Sequence, residues 1–416
     1  MKTIVLGGGI IGVTTAWYLA QEGHKVTVLE RREETGLETS FQNGALLAPG
    51  HSQAWASPAA PKTLIKSLFQ DDPVLRFRIR TEPEFWRWGI EFLRNCTAEK
   101  YRDNTLRIMR VMKYGVEQLR VLRDKAGIEY DGNDKGILYL FRTQQTLEHG
   151  VAAWNLLKEH GLPLEEVTRD QCVEIEPALG VSKEKIAGGM FAPIDGAGDA
   201  LIFTRNLAKL CRDKGVDIRL NTSATGLKRE GDRITGVRTD KGDLDADCVV
   251  LALGLESPDL ARSVGIRLPI YPIKGYTMNV STRGYNGAPT VGIIEEDNLV
   301  AFARLGDKLR VGGKAEFAGH DKSYSPEQYK GVFKVARDLF PQGADYANPT
   351  YYACLRPVTP GGPPILGPTR YRNLHVNVGH GAAGWTMACG ASRAVVDVIA
   401  GRKPEIDMEG LTLARS

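Results

Sequence analysis

Chemistry based on metals or disulfides finds little support in this sequence. The six cysteines (Cys96, Cys172, Cys211, Cys248, Cys354 and Cys389) are scattered over 416 residues, form no C-x-x-C pair and stand at no zinc-ligand spacing from histidine. That excludes a sequence-encoded zinc or redox-cysteine site and leaves reduced thiols in a cytoplasmic compartment as the expectation. Charge of one sign is also missing. Lys and Arg number 54 against 50 Asp and Glu, a net +4, with no basic block. A nucleic-acid-binding tail is excluded on that ground. No stretch approaches the ~20 apolar residues of a spanning helix, so the chain is expected to be cytoplasmic and at most peripheral at the inner face of the plasma membrane. Met1-Lys2-Thr3 runs straight into an apolar segment without a small-residue cleavage site, so no leader is expected. Internal repeats, low-complexity segments and the Ser-His-Asp order of a nucleophilic triad are absent as well.

What is present is glycine, 46 residues of it, in a chain long enough for two domains. Thr3 to Leu6 is an apolar run ended by three glycines and reads as a buried strand. Ile10 to Gln21 has apolar residues at helical spacing and stops at Gly23, and Lys25 to Glu30 is again a strand. This is a β-α-β unit. Its turn, Gly7-Gly8-Gly9-Ile10-Ile11-Gly12, satisfies G-x-G-x-x-G in the strand-to-helix context that gives the motif its meaning. Gly7 permits the tight turn, Gly9 lets backbone approach a pyrophosphate, and Gly12 lets helix and sheet pack closely. The helix N-terminus offers that phosphate unpaired N–H groups and a partial positive charge. Glu30 is placed for the adenosine ribose hydroxyls and would repel a 2′-phosphate, which argues against NADP; on this motif alone NAD and FAD both remain open.

The middle of the chain differs. Asp71 to Asn95 is rich in Arg and aromatics, Leu106 to Ala126 reads as a long amphipathic helix, and Gly136 to Phe141 as a strand. From Asp199, a plausible N-cap, the pattern returns to alternating helix and strand, with strands at Val216–Leu220 and Asp247–Leu253. Residues 263 to 350 hold several strands and one helix. The end carries Gly-Pro-rich loops, a strand at Leu374–Val378 and a last helix after Gly384. One domain built from three separated pieces, with a second grown as two insertions, accounts for this order.

Several further elements carry a resemblance. They are Thr39-Ser40 and Asn43-Gly44 in the stretch Glu38 to Leu47, the strand end at Gly254, and the loop Trp55-Ala56-Ser57-Pro58. With them go Tyr271-Pro272-Ile273-Lys274-Gly275-Tyr276, Arg310-Val311-Gly312-Gly313, Leu355-Arg356-Pro357-Val358-Thr359-Pro360, Gly379-His380-Gly381 and Gly384-Trp385-Thr386-Met387-Ala388-Cys389-Gly390. Together with the β-α-β unit they resemble the D-amino acid oxidase and glycine oxidase superfamily of FAD-dependent enzymes, in particular its bacterial D-amino acid dehydrogenase small subunits, in order over essentially the whole chain. The resemblance implies an α/β fold: a glutathione-reductase-like Rossmann domain for FAD (1–56, 196–262 and 352–416) with an inserted α+β substrate domain built on an antiparallel sheet (57–195 and 263–351). It implies FAD contacts at Gly7, Gly9, Ile10, Ile11, Gly12, Glu30, Arg31, Ser40, Asn43, Gly44, Ala45 and Leu46. Ala224 would contribute through its backbone, and Gly254, Gly384, Trp385, Thr386 and Met387 would complete the flavin pocket. The activity implied is oxidative deamination of D-amino acids to 2-oxo acids and ammonia, with electrons passed to a quinone or other acceptor. A D-proline or hydroxyproline-type dehydrogenase, an oxygen-using oxidase of the same fold, and a non-catalytic electron-transfer flavoprotein are the alternatives.

For the substrate end, Arg356 is followed by the stiffening prolines Pro357 and Pro360, and its planar fork of donors suits a carboxylate. A structural ion pair is the competing reading, and similarity to the family's carboxylate-binding arginine decides for substrate. Tyr276 and Lys274 are further catalytic candidates, set against a half-buried sheet tyrosine and a structural lysine. His51 and His380 stand as general-base candidates that no spacing supports. The segment Arg76 to Arg94 reads either as a core-facing helix with snorkelling arginines or as a membrane-touching one.

Overall fold

In the computed structural model, residues 1–67, 75–78 and 80–413 are described; residues 71–74 and 79 of the Arg- and aromatic-rich stretch, and 414–416 of the C-terminal piece, lie outside the described residues. The β-α-β unit forms as Lys2–Leu6, Ile10–Gln21 and Lys25–Leu29. Lys2–Leu6 lies between Lys25–Leu29 and Cys248–Leu251, parallel to both. Asp217–Arg219 and Leu374–Val378 extend the parallel sheet on either side, and Ile365–Pro368 closes one edge antiparallel, making six strands. Helices cover one face and a small antiparallel sheet (Ala224–Glu230, Arg233–Thr239, Leu244–Asp245) lies by the other. Strands covered on both faces read as continuous apolar runs, which is why Lys2–Leu6 and Cys248–Leu251 were visible in the sequence.

Among the described residues the second sheet has nine strands. Its central ladder, Thr350–Val358, Tyr271–Ser281, Lys308–Phe317, Val300–Leu305 and Gly292–Glu295, is antiparallel. Two pairings are parallel, Gly292–Glu295 with Ile137–Phe141 and Lys308–Phe317 with Leu75–Phe77, so the sheet is mixed rather than purely antiparallel. Thr350–Val358 belongs to this sheet, whereas the sequence boundary at residue 352 assigned most of it to the nucleotide domain; pairing between strands distant in sequence leaves no local mark at Tyr352.

The long helix begins earlier than its apolar spacing suggests. It spans Ala98–Ala126, because the Thr97 hydroxyl caps Lys100 N–H at 3.3 Å, and it stops at Gly127 in the left-handed region. Its buried face (Val111, Met112, Val116, Leu119) shares one core with Val5, Val13 and Val395. A helix assigned from sequence to the substrate insertion therefore packs on the nucleotide layer. It crosses the C-terminal helix Gly384–Ile399 at minimal distance: a Cβ on Gly115 would come within 2.0 Å of Thr386 O, and one on Gly390 within 2.6 Å of Gly115 N. That crossing fixes where the C-terminal helix begins.

His375 lies buried in Leu374–Val378, and burial pushes its imidazole down to about 4. It is neutral when folded and gains a proton on unfolding below its ordinary value of 6.5. Its contribution to stability is complete above that value and is lost as pH falls toward 4. Melting temperature is therefore expected to fall on acidification across this window, and His375→Leu is expected to flatten the fall; an unchanged slope would contradict the assignment.

Candidate active site

A cavity of about 1230 Å³ lies between the two sheets, larger than the roughly 300–1,000 Å³ of an ordinary small-molecule pocket. The helix Ile10–Gln21 opens into it at Gly9, Ile10 and Ile11. Gly7 holds a φ of +108°, and a Cβ there would meet Ala252 O at 2.5 Å. Gly12 does not line the cavity; a Cβ on it would come within 1.8 Å of Gly7 O, so this glycine acts by letting the helix sit against the turn rather than by touching a ligand. The helix has no acidic residue in its first turn.

Glu30 lies at the cavity wall, mostly buried. Its Oε2 accepts from Gly8 N–H at 2.7 Å and its Oε1 from Arg32 N–H at 2.9 Å. Burial raises its pKa and those two N–H groups oppose the rise. One lone pair on each oxygen stays free for a ribose diol. The Arg31 side chain is not free for a ligand: it pairs with Glu38 at 2.6 Å and Glu256 at 2.8 Å. Glu38 also pairs with Arg32 and, at 2.6 Å, with Lys322. Burial disfavours its charge, but these three cations hold its carboxyl at about 2. Ala224 and Gly254 line the same end.

Ser40 and Asn43 to Leu46 form the middle of the cavity. Ser40 Oγ accepts from Ile10 N–H at 3.0 Å, which leaves its own O–H to donate. The Thr39 hydroxyl is spent on Leu355 O at 2.9 Å. Asn43 Oδ1 accepts from Ala45 N–H at 2.9 Å and holds Ala45 in the left-handed region, φ 60°. Opposite stands the start of the C-terminal helix, again without a side-chain cap or an acidic first turn. Trp385 turns inward, its Nε1–H donating to Gly198 O at 3.2 Å, and the Thr386 hydroxyl accepts from Ala48 N–H at 3.2 Å. Gly384 to Met387 all line the cavity.

At the large-sheet end stands Arg356. Its guanidinium donates to Lys314 O at 3.0 Å and lies 5.9 Å from the Trp55 ring centre. No carboxylate among the described residues pairs with it, and burial lowers its pKa. Gly275 on the neighbouring strand makes room: a Cβ there would meet Arg356 Nη2 at 2.4 Å.

Two candidates fall on the other side of that strand. Strand side chains alternate between faces, so Gly275 and Thr277 face Arg356 while Lys274 and Tyr276 face away. Tyr276 packs with Tyr329 and Met278, and its hydroxyl donates to Glu316. Lys274 is fully buried, donating to Ser323 O at 2.6 Å and pairing with Asp321 at 3.2 Å. Neither lines the cavity; sequence spacing located the strand but not which side of it faced the cavity. His380 does line it, but burial pushes its pKa down to about 3, which leaves a poor base. His51 Nε2 stands 3.5 Å from Glu296 Oε1; burial lowers its pKa, and Glu296 together with Asp195 more than reverses this. Gln53, Thr277 and Glu296, which no motif in the sequence marks, also stand on the wall.

The residues fit a flavin dinucleotide. Two helix N-termini, an acidic residue with free lone pairs and a backbone-lined slot occur in one cavity. Buried polar atoms without partners among the described residues also belong to its lining residues: both amide atoms of Gln53, Thr277 Oγ1, Asn377 Oδ1 and His380 Nε2.

Comparison with known proteins defines the class. Residues 2–398 match the family described as FAD dependent oxidoreductase, and the chain belongs to that family: it is an oxidoreductase whose cofactor is FAD. More narrowly, it is similar to "D-amino acid dehydrogenase 2" of Mesorhizobium japonicum, 44% identical over 412 residues covering 99% of each chain. It is likewise 44% identical to "D-amino acid dehydrogenase" of Paramagnetospirillum magneticum, over 100% of this chain and 99% of the relative. Among solved structures, glycine oxidase from Geobacillus kaustophilus shares the fold with TM-score 0.75 at 21% identity, over 100% of this chain and 98% of that one. L-proline dehydrogenase from P. horikoshii does so with TM-score 0.76 at 21% identity, over 99% and 96%.

Gly275→Ala and Gly12→Ala separate two kinds of close approach. The first meets only the end of a flexible side chain, so the fold and FAD absorbance are expected to persist while kcat/KM falls about tenfold or more as Arg356 shifts. The second meets backbone and is expected to give protein without bound FAD. Equal effects of the two on FAD content would contradict this.

Proposed function

We propose that this chain is an FAD-dependent D-amino acid dehydrogenase, converting a D-amino acid to the 2-oxo acid and ammonia. The carrying observation is Arg356, a shielded cation without a carboxylate partner among the described residues, at one end of a cavity whose other end has the features of a dinucleotide cradle. Preference for the D-isomer is supported by the names of the full-length relatives. In this reading the chain has two units, the nucleotide pieces within 1–56, 196–262 and 352–416 and the substrate pieces within 57–195 and 263–351, with Thr350–Val358 moved to the second and Ala98–Ala126 bracing the first.

Gly7, Gly9, Ile10 and Ile11 would hold the pyrophosphate on the first helix N-terminus, with Ser40 donating to it. Glu30 would take the ribose and Ala224 the adenine. Asn43 to Leu46, Gly254 and Gly384 to Met387 would frame the ring system. Bound FAD supplies the acceptor for the hydride that leaves the substrate Cα. The chain orients that step: Arg356 fixes the carboxylate as a bidentate pair, and the floor at Thr277, Ala301 and Gly312 leaves room for the substrate. The C-terminal helix N-terminus favours negative charge beside it. Alignment supplies most of the rate in such a step, and the amine enters neutral, so no protein base is required. Water then hydrolyses the imino acid product.

Arg356→Ala is expected to raise KM for D-amino acids by about tenfold to a hundredfold, with FAD retained, and Arg356→Lys to restore only part of it because a point charge cannot replace a fork. Unchanged steady-state kinetics in Arg356→Ala would remove the carboxylate role.

The electron acceptor in this reading is a quinone reached at a membrane surface. The helix Pro83–Asn95 buries Phe85, Trp88 and Phe92 but exposes Trp86, Ile90 and Leu93 by half or more (52%, 50% and 52%). Exposed Arg87 and Arg94 flank that stripe, and Lys62, Ile65 and Lys66 are exposed on the nearby helix Ala60–Ser67. Basic residues beside an apolar stripe suit an anionic lipid surface. Among the described residues no helix is long and apolar enough to cross a membrane. The protein is expected to sediment with anionic vesicles, less at high salt, and the triple variant Trp86→Ser, Ile90→Ser, Leu93→Ser to stay in solution. Equal sedimentation of the variant would contradict this surface.

A further inference from the structure

The wall facing the large sheet carries a polar group that orientation by Arg356 leaves without a task. His51, Gln53 and Trp55 line the cavity, while Ser52 and Ala54 are buried behind them. Trp55 lies against the Arg356 guanidinium, 5.9 Å from ring centre to cation. His51, at the other end of the segment, stands 3.5 Å from Glu296. Gln53 lies between them in the chain, so this wall runs from Arg356 to the His51–Glu296 pair. Both amide atoms of Gln53 are buried and neither has a hydrogen-bond partner among the described residues. A buried polar group left unmet costs about 1–3 kcal/mol, and an amide offers both donors and acceptors. Across the cavity the floor is Thr277, Ala301 and Gly312, small residues that leave space beside Arg356, and Thr277 Oγ1 is also without a partner among the described residues.

We infer that Gln53, with the His51–Glu296 pair beyond it, forms the subsite for the substrate's side chain and favours side chains ending in a hydrogen-bonding group over aliphatic ones of equal length. This rests on the amino acid reading above. The contact of Trp55 with Arg356 puts the segment at the substrate end of the cavity rather than at the pyrophosphate end. An unmet amide rejects an aliphatic group because it stays unmet, and accepts an amide or ammonium because both partners are then paired.

The test is steady-state kinetics of the holoenzyme on D-glutamine, D-lysine and D-norleucine, with flavin absorbance measured in each preparation. The wild type is expected to prefer D-glutamine or D-lysine to D-norleucine. Gln53→Met, nearly isosteric, is expected to reduce that preference about tenfold or more. Gln53→Glu is expected to raise D-lysine relative to D-glutamine by a similar factor, and it decides the matter if the methionine variant fails to retain FAD. A wild type that favours D-norleucine, or a preference unchanged within twofold in the folded variants, overturns the subsite. Loss of FAD from both variants with the preference intact in the residual holoenzyme also overturns it and assigns Gln53 to the cofactor. If no D-amino acid reduces the wild-type flavin, the fault lies instead with the amino acid reading.

Discussion

Unanswered positive potential organises this molecule. Two helix N-termini open into one cavity, neither with an acidic residue in its first turn, and Arg356 enters the same space without a carboxylate partner among the described residues. Each helix end carries roughly half a positive charge, and a shielded cation is stable only when something completes it. The two demands differ in shape. The helix ends ask for negative charge spread along a phosphate and a ring edge; Arg356 asks for a planar carboxylate. A flavin dinucleotide and an amino acid meet both.

Much of the fold exists to hold those charges in place. The 1.8 Å approach that a side chain on Gly12 would make sets the first helix against its turn, and the Gly115–Gly390 crossing seats the second. Glu38 ties the nucleotide loop, through Arg31 and Arg32, to Lys322 beyond the large sheet. Thr39 reaches the backbone of Leu355, next to Arg356. Arg356, which would meet the carboxylate, and the loop that would meet the flavin are therefore braced against each other, and hydride transfer depends on that distance.

The nucleotide half was legible in the sequence because its signals are local. A buried parallel strand is an apolar run, a glycine turn has fixed spacing, and Glu30 sits at the end of the next strand. The place of Arg356 on the cavity wall was legible from its setting before Pro357 and Pro360 and from family likeness. Lys274 and Tyr276 misled because they lie one residue from the correct face: Gly275, between them, is where the chain approaches Arg356, and strand parity follows from register with Thr350–Val358. Gln53 went unseen because its meaning lies in the partners it lacks, a property of packing. His51, Gln53 and Trp55 do alternate with small residues, and that period of two was the available signal. The long helix was begun eight residues late because its first turns are polar, although Thr97 offered a cap.

The central claim is that one cavity brings a flavin and the α-carbon of a D-amino acid together. Anaerobic titration of the purified yellow protein with D-amino acids and their L-enantiomers tests it most directly. The account predicts bleaching of the flavin absorbance by D-amino acids, with their L-enantiomers ineffective. A flavin that stays oxidised with every amino acid, or that responds to both enantiomers alike, would contradict it.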